Sequence, residues 1–396
     1  MHRIRRLRNP IRDYAWGSRT ALAELTGRPH PTPRPEAELW IGAHPTAPSQ
    51  VGAESGWVSL PDWIRRDPAA VLGPEIARRF GGELPFLLKV LAVARALSVQ
   101  AHPDAERARA GFEREERAGL ARDDPRRSYR DPNGKPELIC ALTGFTALCG
   151  FRATDEIARG LEGLGVPELV ETARALRAEP GRDGLARGLR SVLAAPPEWA
   201  EAAAAAAERR AGDSPEYRWV AELGRQQPGD PGLLAPLWLQ RIELRPGQGL
   251  FLPAGELHTY LEGTGVEILA NSDNVLRGGL TAKPVDVPEL LAALSFRQQP
   301  VPRIEPRPDG PGEGVYPTPA REFELAVLSV GPAAPLASRA QHPVEILLCT
   351  RGEASLEGAV APGAERLARG EAVLVPAAAG AYALRGNATV YRASVP

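Results

Sequence analysis

One segment of this chain occurs twice, and the repeat constrains the fold more than any other feature of the sequence. GQGLFLPAGELHTYLEG at 247–263 aligns without gaps with GEAVLVPAAAGAYALRG at 370–386, at a constant offset of 123 residues. Each copy has a glycine, an apolar run, a proline, a turn and a second apolar run, which is typical of a hairpin in a small antiparallel barrel. Because the pattern recurs, we expect a mainly β fold with two related β barrels.

Between the strand-like segments, residues 151–235 have a helical pattern. Thr154 precedes Asp155 and Glu156 in a favourable helix start, and the alanine-rich segment at 196–212 has high helix propensity. We therefore predict a helical insertion in a β chain. The predicted division is a discontinuous first barrel at 1–150 and 236–297, the helical insertion at 151–235, a Pro- and Gly-rich linker at 298–320, and a C-terminal barrel at 321–396.

Composition argues against several classes of protein. The formal net charge is −1 and 43% of the residues are hydrophobic, so we expect a large core and no excess charge for binding nucleic acid or an anionic membrane. The basic N-terminal segment lacks the apolar stretch of a signal peptide, and we expect no membrane span. Three scattered cysteines fit a reducing compartment better than a disulfide framework. These features predict a cytoplasmic protein.

Lysine is unusually rare in this chain. Of the 48 basic residues, 45 are arginine and three are lysine, namely Lys89, Lys135 and Lys283. A coding bias that replaces lysine by arginine would spare positions where arginine is unsuitable, because lysine is a compact charge with a tunable pKa. The three lysines are therefore functional candidates, although chance survival of any one of them stays open.

Gln100, His102, Glu137 and His258 form a candidate metal-binding set. Gln100 and His102 are two positions apart, so both side chains point to one face if the segment is a strand. One amide, two imidazoles and one carboxylate suit zinc, although geometry alone leaves manganese, iron and cobalt open. A single histidine is more often a structural residue, and the spacing matches no short metal-binding signature. The second copy of the repeat has Ala381 in place of His258, so only the first barrel keeps this histidine.

The segment VEILANSDNVLRGGLTAK at 266–283 contains further polar candidates. Glu267 lies in a strand pattern, Asp273 lies in a polar turn, and Arg277 and Lys283 follow. A turn of this composition also arises from simple Asx capping. Since Arg277 is one of 45 arginines, its residue type alone does not decide its role.

Seven motifs in order along the chain resemble the type I mannose-6-phosphate isomerase (phosphomannose isomerase) family of the cupin superfamily. They are YAWGS (14–18), AELWIGAHP (37–45), LPFLLKVL (84–91), LSVQAHPD (97–104), NGKPEL (133–138), PAGELHTYLEG (253–263) and VEILANSDNVLRGGLT (266–281). The resemblance implies two cupin-type (jelly-roll) barrels plus a helical domain, the first barrel being catalytic and the second degenerate. It also implies one zinc ion per chain, with Gln100, His102, Glu137 and His258 as ligands.

The same resemblance implies a zinc-dependent aldose–ketose isomerase that interconverts mannose 6-phosphate and fructose 6-phosphate through a cis-enediol. Arg277 would then stabilise the enediolate, and either Lys135 or Glu267 would be the base, a choice that the sequence leaves open. The expected substrate-binding residues are Lys89, Ser98, Asp273 and Lys283. Of these we expect Lys89 and Ser98 to meet the phosphate.

One departure from the family pattern bears on the functional prediction. The family motif usually reads NHKPE, with a histidine considered for proton transfer, whereas Gly134 occupies that position here. A catalytically impaired cupin that only binds a sugar or a metal is therefore the alternative function. A metal-dependent dioxygenase is a third reading, disfavoured because such cupins usually present more than two candidate histidines. We expect a monomer whose partner is a small sugar phosphate, with no nucleic acid or membrane partner.

Overall fold

The computed structural model describes residues 1–54, 56–332 and 335–396, and antiparallel strands predominate in it. In chain order the strands are β1 (Arg5–Arg8), β2 (Ile11–Arg12), β3 (Glu38–Gly42), β4 (Gln50–Ala53), β5 (Gly56–Ser59), β6 (Phe86–Val93), β7 (Gln100–Ala101), β8 (Glu137–Ala141), β9 (Phe145–Phe151), β10 (Leu239–Leu244), β11 (Gly249–Leu252), β12 (His258–Ala270), β13 (Leu276–Arg277), β14 (Arg307–Gly310), β15 (Glu313–Tyr316), β16 (Glu324–Val330), β17 (Leu336–Ala337), β18 (Glu345–Glu357), β19 (Arg366–Ala368), β20 (Ala372–Val375) and β21 (Ala383–Ser394).

Helices are concentrated between β9 and β10, where the sequence predicts a helical insertion. In chain order they are α1 (Ala21–Leu25), α2 (Leu60–Arg66), α3 (Pro68–Leu72), α4 (Pro74–Arg79), α5 (Ala105–Arg117), α6 (Thr154–Gly163), α7 (Pro167–Ala178), α8 (Arg182–Leu193), α9 (Pro197–Arg209), α10 (Pro215–Gln226), α11 (Ala235–Trp238) and α12 (Val287–Ala293). Short 3₁₀ turns occupy Pro231–Leu234 and Ala377–Ala379. Across the described ranges, no helix combines the length and the apolar character that crossing a membrane requires.

The first sheet is built around the 13-residue strand β12. Its path runs β10-β9-β12-β6-β3-β2, while β7 and β8 also pair with β12, β11 pairs with β8, and β13 pairs with β7. The C-terminal half of β12 lies between β6 and β8, and its first residues pair with β7 and β9. Because β12 contacts four strands, it brings residues from distant parts of the chain to one place.

The second sheet runs β14-β15-β16-β21-β18-β20-β1-β4-β5, with β17 beside β21 and β19 beside β18. Strand β1 pairs with β20, for example Arg5 with Leu374, and so carries N-terminal residues into the C-terminal sheet. Part of the segment 1–150, which we predicted to belong to the first barrel, therefore lies in the second sheet. Pairing between strands at opposite ends of a chain leaves no local pattern from which it could be predicted.

The segment 298–320, which we predicted to be a linker, contains the hairpin β14–β15. Gly310 and Gly312 have φ values of +144° and +77°, a region open mainly to glycine, and they form its turn. Strand β15 then pairs with β16, with Tyr316 opposite Leu325. The glycines that suggested a flexible linker therefore serve as turn residues inside the second sheet.

The sequence repeat is present in the structure. Strands β11 and β20 start and end at the same offset of 123 residues as the repeat. Gly247 and Gly370, which precede these strands, have φ values of +88° and +83°, and Gly263 and Gly386 have +119° and +135°. Matching left-handed glycines at matching positions show that the two copies share a backbone path.

Two shared cores join the parts of the molecule. One contains residues of both sheets, including Leu138 of β8 and Leu374 of β20. The other joins helices α6–α10 to strands of the first sheet, and Val99 and Leu257 in it are next to Gln100 and His258 in the chain. The helical segment is thus packed directly behind the candidate metal ligands.

Candidate active site

Strand pairing to β12 brings three candidate metal ligands together. His258 is the first residue of β12 and lies opposite Gln100 of β7, while Glu137 is the first residue of β8 and lies opposite Leu269 of β12. His102 follows β7 by one residue. The side chains of His102, Glu137 and His258 are almost completely buried, at 2%, 2% and 1% exposure.

The distances within this group suit a single metal ion. His102 Nε2 lies 3.3 Å from Glu137 Oε2, and His258 Nε2 lies 3.7 Å from the same oxygen. The ligand atoms of these three residues all lie within 4.8 Å of one another. The Gln100 amide reaches the group as well, with its Nε2 3.5 Å from His258 Nε2, and amide oxygen and nitrogen can exchange places by rotation.

The hydrogen bonds of both imidazoles leave their inner nitrogens free to bind a cation. His102 Nδ1 lies 2.8 Å from the Asn274 carbonyl oxygen, and His258 Nδ1 lies 2.9 Å from that of Glu256. Because a carbonyl only accepts, each Nδ1 carries the proton and each Nε2 presents a lone pair. His102 Nε2 has no hydrogen-bond partner among the described residues. Burial lowers the pKa of both rings, that of His258 to about 4, so both are neutral at pH 7.

Glu137 completes the group as a carboxylate. Burial opposes its ionisation, but the ammonium group of Lys135 nevertheless holds its pKa well below the usual range. Lys135 Nζ lies 3.0 Å from Glu137 Oε1 and is itself buried, at 7% exposure. A buried carboxylate with two neutral imidazoles provides the N and O ligands that zinc prefers.

Lys89 is held between two carboxylates on the wall of the same site. Its Nζ lies 3.4 Å from Glu38 Oε2 and 3.6 Å from Glu267 Oε2, because Lys89 pairs with Glu267 across β6 and β12. The ammonium group also lies 5.0 Å from the centre of the Trp40 ring. Burial lowers the pKa of Lys89, but the two carboxylates outweigh this effect and raise it. Lys89 is therefore a cation with its charge already compensated.

Glu267 is a buried carboxyl group, next to Lys89, whose pKa suits proton transfer. Its side chain is 4% exposed. Burial and the charge of Glu137 raise its pKa to about 7, against the opposing effect of Lys89. A carboxyl group with a pKa near neutrality exchanges protons readily at physiological pH.

The polar turn at 271–274 is locked to the loop that precedes β8. The Asn274 side-chain oxygen accepts from the Arg130 amide at 2.7 Å, and its amide nitrogen donates to the carbonyl oxygens of Asp131 and Asn133. Asn274 is completely buried, and its own carbonyl holds His102. This turn therefore orients a candidate metal ligand.

Asp273 in the same turn pairs with a histidine that sequence reasoning did not select. His44 Nε2 lies 3.2 Å from Asp273 Oδ1, and His44 is 2% exposed. Burial raises the pKa of Asp273, but the bond to His44 outweighs this and lowers it. His44 and Glu38 both belong to the motif AELWIGAHP, and that motif was the signal that would have identified them.

Arg277 and Arg130 both lie close enough to Lys283 to affect its charge. Burial and the nearby Arg130 both lower the pKa of Arg277. The pKa of Lys283 is lowered by burial, then by Arg277 and Arg130. Within the described ranges no carboxylate lies within ion-pair distance of these three side chains. The sequence analysis missed Arg130, which stands just ahead of NGKPEL and whose type is common in this chain.

Ser98 is the remaining predicted residue. It is half-buried in the extended segment before β7, two positions from Gln100, and no hydrogen bond of its side chain is formed among the described residues. Ser98 thus lies two residues before Gln100 in the chain, and Arg277 pairs with Gln100 across β13 and β7.

Gly134 lies where another segment passes very close. A β carbon at this position would lie 2.8 Å from the Ala105 nitrogen and 3.2 Å from its Cα, at the start of α5. The neighbouring Lys135 amide donates to the Pro103 carbonyl at 3.3 Å, which fixes the approach. The backbone therefore leaves no room for a side chain at residue 134.

Comparisons with known proteins agree with this arrangement. Residues 4–154 match the family model described as phosphomannose isomerase type I, catalytic domain. The chain is 39% identical over 358 residues to mannose-6-phosphate isomerase of Salmonella typhimurium, covering 89% of this chain and 90% of the relative. It is 33% identical over 401 residues to the Bos taurus mannose-6-phosphate isomerase, covering 93% and 92%.

Solved structures give the same result. A phosphomannose isomerase mutant from Salmonella typhimurium superposes with a TM-score of 0.91 at 35% identity, covering 99% of both chains. A mannose 6-phosphate isomerase whose structure is described as zinc-bound superposes with a TM-score of 0.90, also at 35% identity and 99% coverage of both chains. With relatives above 30% identity aligned over most of their length, the chain belongs to the type I phosphomannose isomerase family, whose members are mannose-6-phosphate isomerases.

Proposed function

We propose that this chain is a zinc-dependent isomerase that interconverts mannose 6-phosphate and fructose 6-phosphate through a cis-enediol. The observation that carries the proposal is the pair of buried, neutral imidazoles aimed at one buried carboxylate. Two lone pairs facing a carboxylate are costly to bury unless a cation lies between them. The family relationship, with relatives named mannose-6-phosphate isomerases, supports the choice of reaction.

Zinc would be held by Gln100, His102, Glu137 and His258. When bound, zinc acts as a Lewis acid toward the sugar oxygens at C1 and C2. The chain prepares this site in advance, because backbone carbonyls fix both imidazole tautomers and Lys135 keeps the carboxylate ionised. Because the ligands are already oriented, the site does not need to reorganise when the cation binds.

We assign Glu267 as the base for the proton that moves between C2 and C1. Its pKa of about 7 allows it to take a proton from one carbon and return it to the other near neutral pH. Lys135, the other candidate, already makes an ion pair with Glu137. Lys89 and Glu38 would orient Glu267 rather than touch the phosphate.

The substrate phosphate fits the edge formed by Arg277, Lys283 and Arg130. Burial and then the neighbouring cations lower the pKa of Arg277 and of Lys283, and a phosphate dianion would offset the repulsion among the cations. This assignment replaces the expectation that Lys89 meets the phosphate, since the charge of Lys89 is already matched by two carboxylates. Ser98 and Asp273 remain candidates for contacts with the sugar hydroxyls.

We also propose that the two sheets form cupin-type barrels and that only the first holds a metal. In matching registers, Glu137 pairs with Leu252, and Glu345 pairs with Val375 in the second sheet. Glu345 accepts from the Tyr382 hydroxyl at 2.6 Å and lies 3.6 Å from the Arg392 guanidinium. A guanidinium beside the matching carboxylate supports a second barrel that does not bind metal.

The alternative, a cupin that binds but does not catalyse, rested on Gly134. The close approach of the α5 start gives that glycine a packing explanation, so it no longer favours lost catalysis. We further propose that the enzyme acts as a monomer in the cytoplasm, where its three buried free thiols would remain reduced.

The test is a coupled assay of purified, zinc-loaded protein with mannose 6-phosphate, recording fructose 6-phosphate. Unphosphorylated mannose and glucose 6-phosphate are the matched controls for the phosphate and for the C2 configuration. We expect turnover of mannose 6-phosphate well above both controls. A zinc-loaded protein that binds mannose 6-phosphate without converting it would favour the binding-only cupin.

A further inference from the structure

One carboxylate of the helical insertion, that of Asp230, forms hydrogen bonds to a loop of the candidate site. Asp230 follows α10 and precedes the 3₁₀ turn Pro231–Leu234, whose first free amide, that of Gly232, donates to Asp230 Oδ1 at 2.8 Å. This bond is an ordinary cap of the turn. It satisfies only part of the capacity of the carboxylate to accept hydrogen bonds.

The remaining bonds of Asp230 reach across to the loop that joins Arg277 to Lys283. Leu280 donates its amide to Asp230 Oδ1 at 2.7 Å, and Thr281 donates its amide to Oδ2 at 3.1 Å. A capping residue has no need of partners 50 and 51 positions away in the chain. These two long-range hydrogen bonds therefore hold the loop between Arg277 and Lys283, two of the proposed phosphate-binding cations.

The backbone of this loop is shaped to meet Asp230. Leu280 has a φ of +53°, a conformation that a leucine adopts only when its surroundings impose it. Gly279 has a φ of +115°, and a β carbon on it would lie 2.6 Å from the Cα of Gly232. The two glycines thus allow the insertion and the loop to touch backbone to backbone.

The opposite side of the loop is fixed to the strand region of the metal group. The Gly278 amide donates to the Val99 carbonyl at 2.7 Å, and the Val99 amide donates to the Gly279 carbonyl at 3.0 Å. Val99 immediately precedes Gln100. The loop therefore lies between the metal-binding strand and Asp230, and the distance from the metal group to the cations depends on both attachments.

We propose that Asp230 is a positioning residue, through which the helical insertion sets the place of Arg277 and Lys283 relative to the metal group. The inference rests on the proposed function, since it assigns the insertion a part in binding the sugar phosphate. Without Asp230, the strain at Leu280 has no opposing bonds and the loop relaxes. The cations then move away from the position that a substrate anchored at the metal group requires.

The test compares Asp230→Ala and Asp230→Asn with the unaltered chain, all zinc-loaded. Asp67→Ala is the matched control, because Asp67 caps α3 by accepting from the Ala70 amide and makes no bond to the loop. Hydrogen exchange measures the protection of the amides of residues 278–283. Titration with glucitol 6-phosphate, which has no carbonyl to isomerise, measures binding, and steady-state kinetics and metal analysis complete the set.

We expect Asp230→Ala to speed exchange in residues 278–283 and to weaken glucitol 6-phosphate binding and raise KM by roughly 10- to 100-fold, the range for a small misplacement of a binding group. Zinc content and the kcat should change much less. Asp230→Asn keeps one oxygen acceptor and should lie between the alanine variant and the unaltered chain, and Asp67→Ala should leave loop exchange and KM unchanged.

Unchanged exchange in Asp230→Ala, or faster exchange with unchanged glucitol 6-phosphate binding, would overturn the inference. Loss of zinc in Asp230→Ala would also overturn it, because the residue would then support the metal group instead of the cations. A chain that binds glucitol 6-phosphate but does not isomerise mannose 6-phosphate would refute the proposed function alone. The exchange and binding comparison would still decide the role of Asp230.

Discussion

Gly134 has two competing explanations, lost catalysis and tight packing. Replacing it by alanine or histidine is the perturbation that most sharply distinguishes them. A β carbon there would lie 2.8 Å from the Ala105 nitrogen, whereas ordinary contacts begin at 3.4 Å, so the two segments must separate by several tenths of an ångström. Both neighbours are backbone atoms, which yield less readily than a side chain. Overpacking of this kind typically costs about 1–3 kcal/mol.

The effect of the substitution on the unfolded chain changes the free energy of unfolding in the opposite direction. Replacing glycine by alanine at a relaxed position stabilises a protein by about 0.4–1 kcal/mol, because the unfolded chain loses freedom. We therefore expect Gly134→Ala to lower the free energy of unfolding by about 1–2 kcal/mol. Gly212→Ala is the control, since its β carbon would have no heavy atom within 4 Å and should be neutral or slightly stabilising.

Urea denaturation of the zinc-loaded proteins measures these differences, and the coupled assay measures activity. Gly134→His carries a larger side chain and should be at least as destabilised as Gly134→Ala. The start of α5 is only three residues after His102, so moving it would disturb this candidate metal ligand. The activity of Gly134→His should therefore fall rather than rise. A Gly134→His protein as stable as the unaltered chain and more active would refute the packing explanation and restore a missing proton-transfer residue.

Three further predictions follow from the site and the core. Arg277→Ala should lower kcat/KM by more than roughly 100-fold with zinc still bound, since it removes a half-buried cation from the substrate, and near-normal activity would contradict its role. For Glu267, whose pKa is raised to about 7, kcat/KM should rise with pH through that value because the base must be ionised, and Glu267→Gln should abolish the rise. Burial raises the thiol pKa of Cys140, Cys149 and Cys349, that of Cys349 to about 11, so a thiol reagent at pH 8 should label none of them until urea is added. Rapid labelling of the folded protein would show that a thiol is accessible.

The repeat predicted much of the fold because it is a local pattern. Glycines at the two ends of each hairpin copy occupy the same left-handed region, and such positions are recognisable in a sequence. The extent of the second sheet was not predictable in the same way. Strand β1 joins β20 from the far end of the chain, and only three-dimensional packing selects that partner.

The metal group of the candidate site was predictable from the sequence, but the pairing of its charges was not. Gln100 and His102 were expected to share a strand face, although β7 ends at Ala101, and the family resemblance supported Glu137 and His258 as the other ligands. Lys89 was expected to meet the phosphate, yet the pairing of β3, β6 and β12 encloses it between Glu38 and Glu267. Whether a cation is free or compensated depends on strand register, which its own sequence segment does not reveal.

The central claim is that one zinc ion, held by His102, Glu137, His258 and Gln100, is required for the isomerase activity. The most direct measurement removes metal with a chelator and then titrates zinc back, recording bound zinc and mannose 6-phosphate turnover on the same samples. The account predicts that activity disappears on chelation and returns in proportion to zinc, reaching its plateau at about one ion per chain, as a single buried ligand set requires. Full activity in protein shown to be free of metal, or a chain saturated with zinc at this site that does not turn over mannose 6-phosphate, would contradict it.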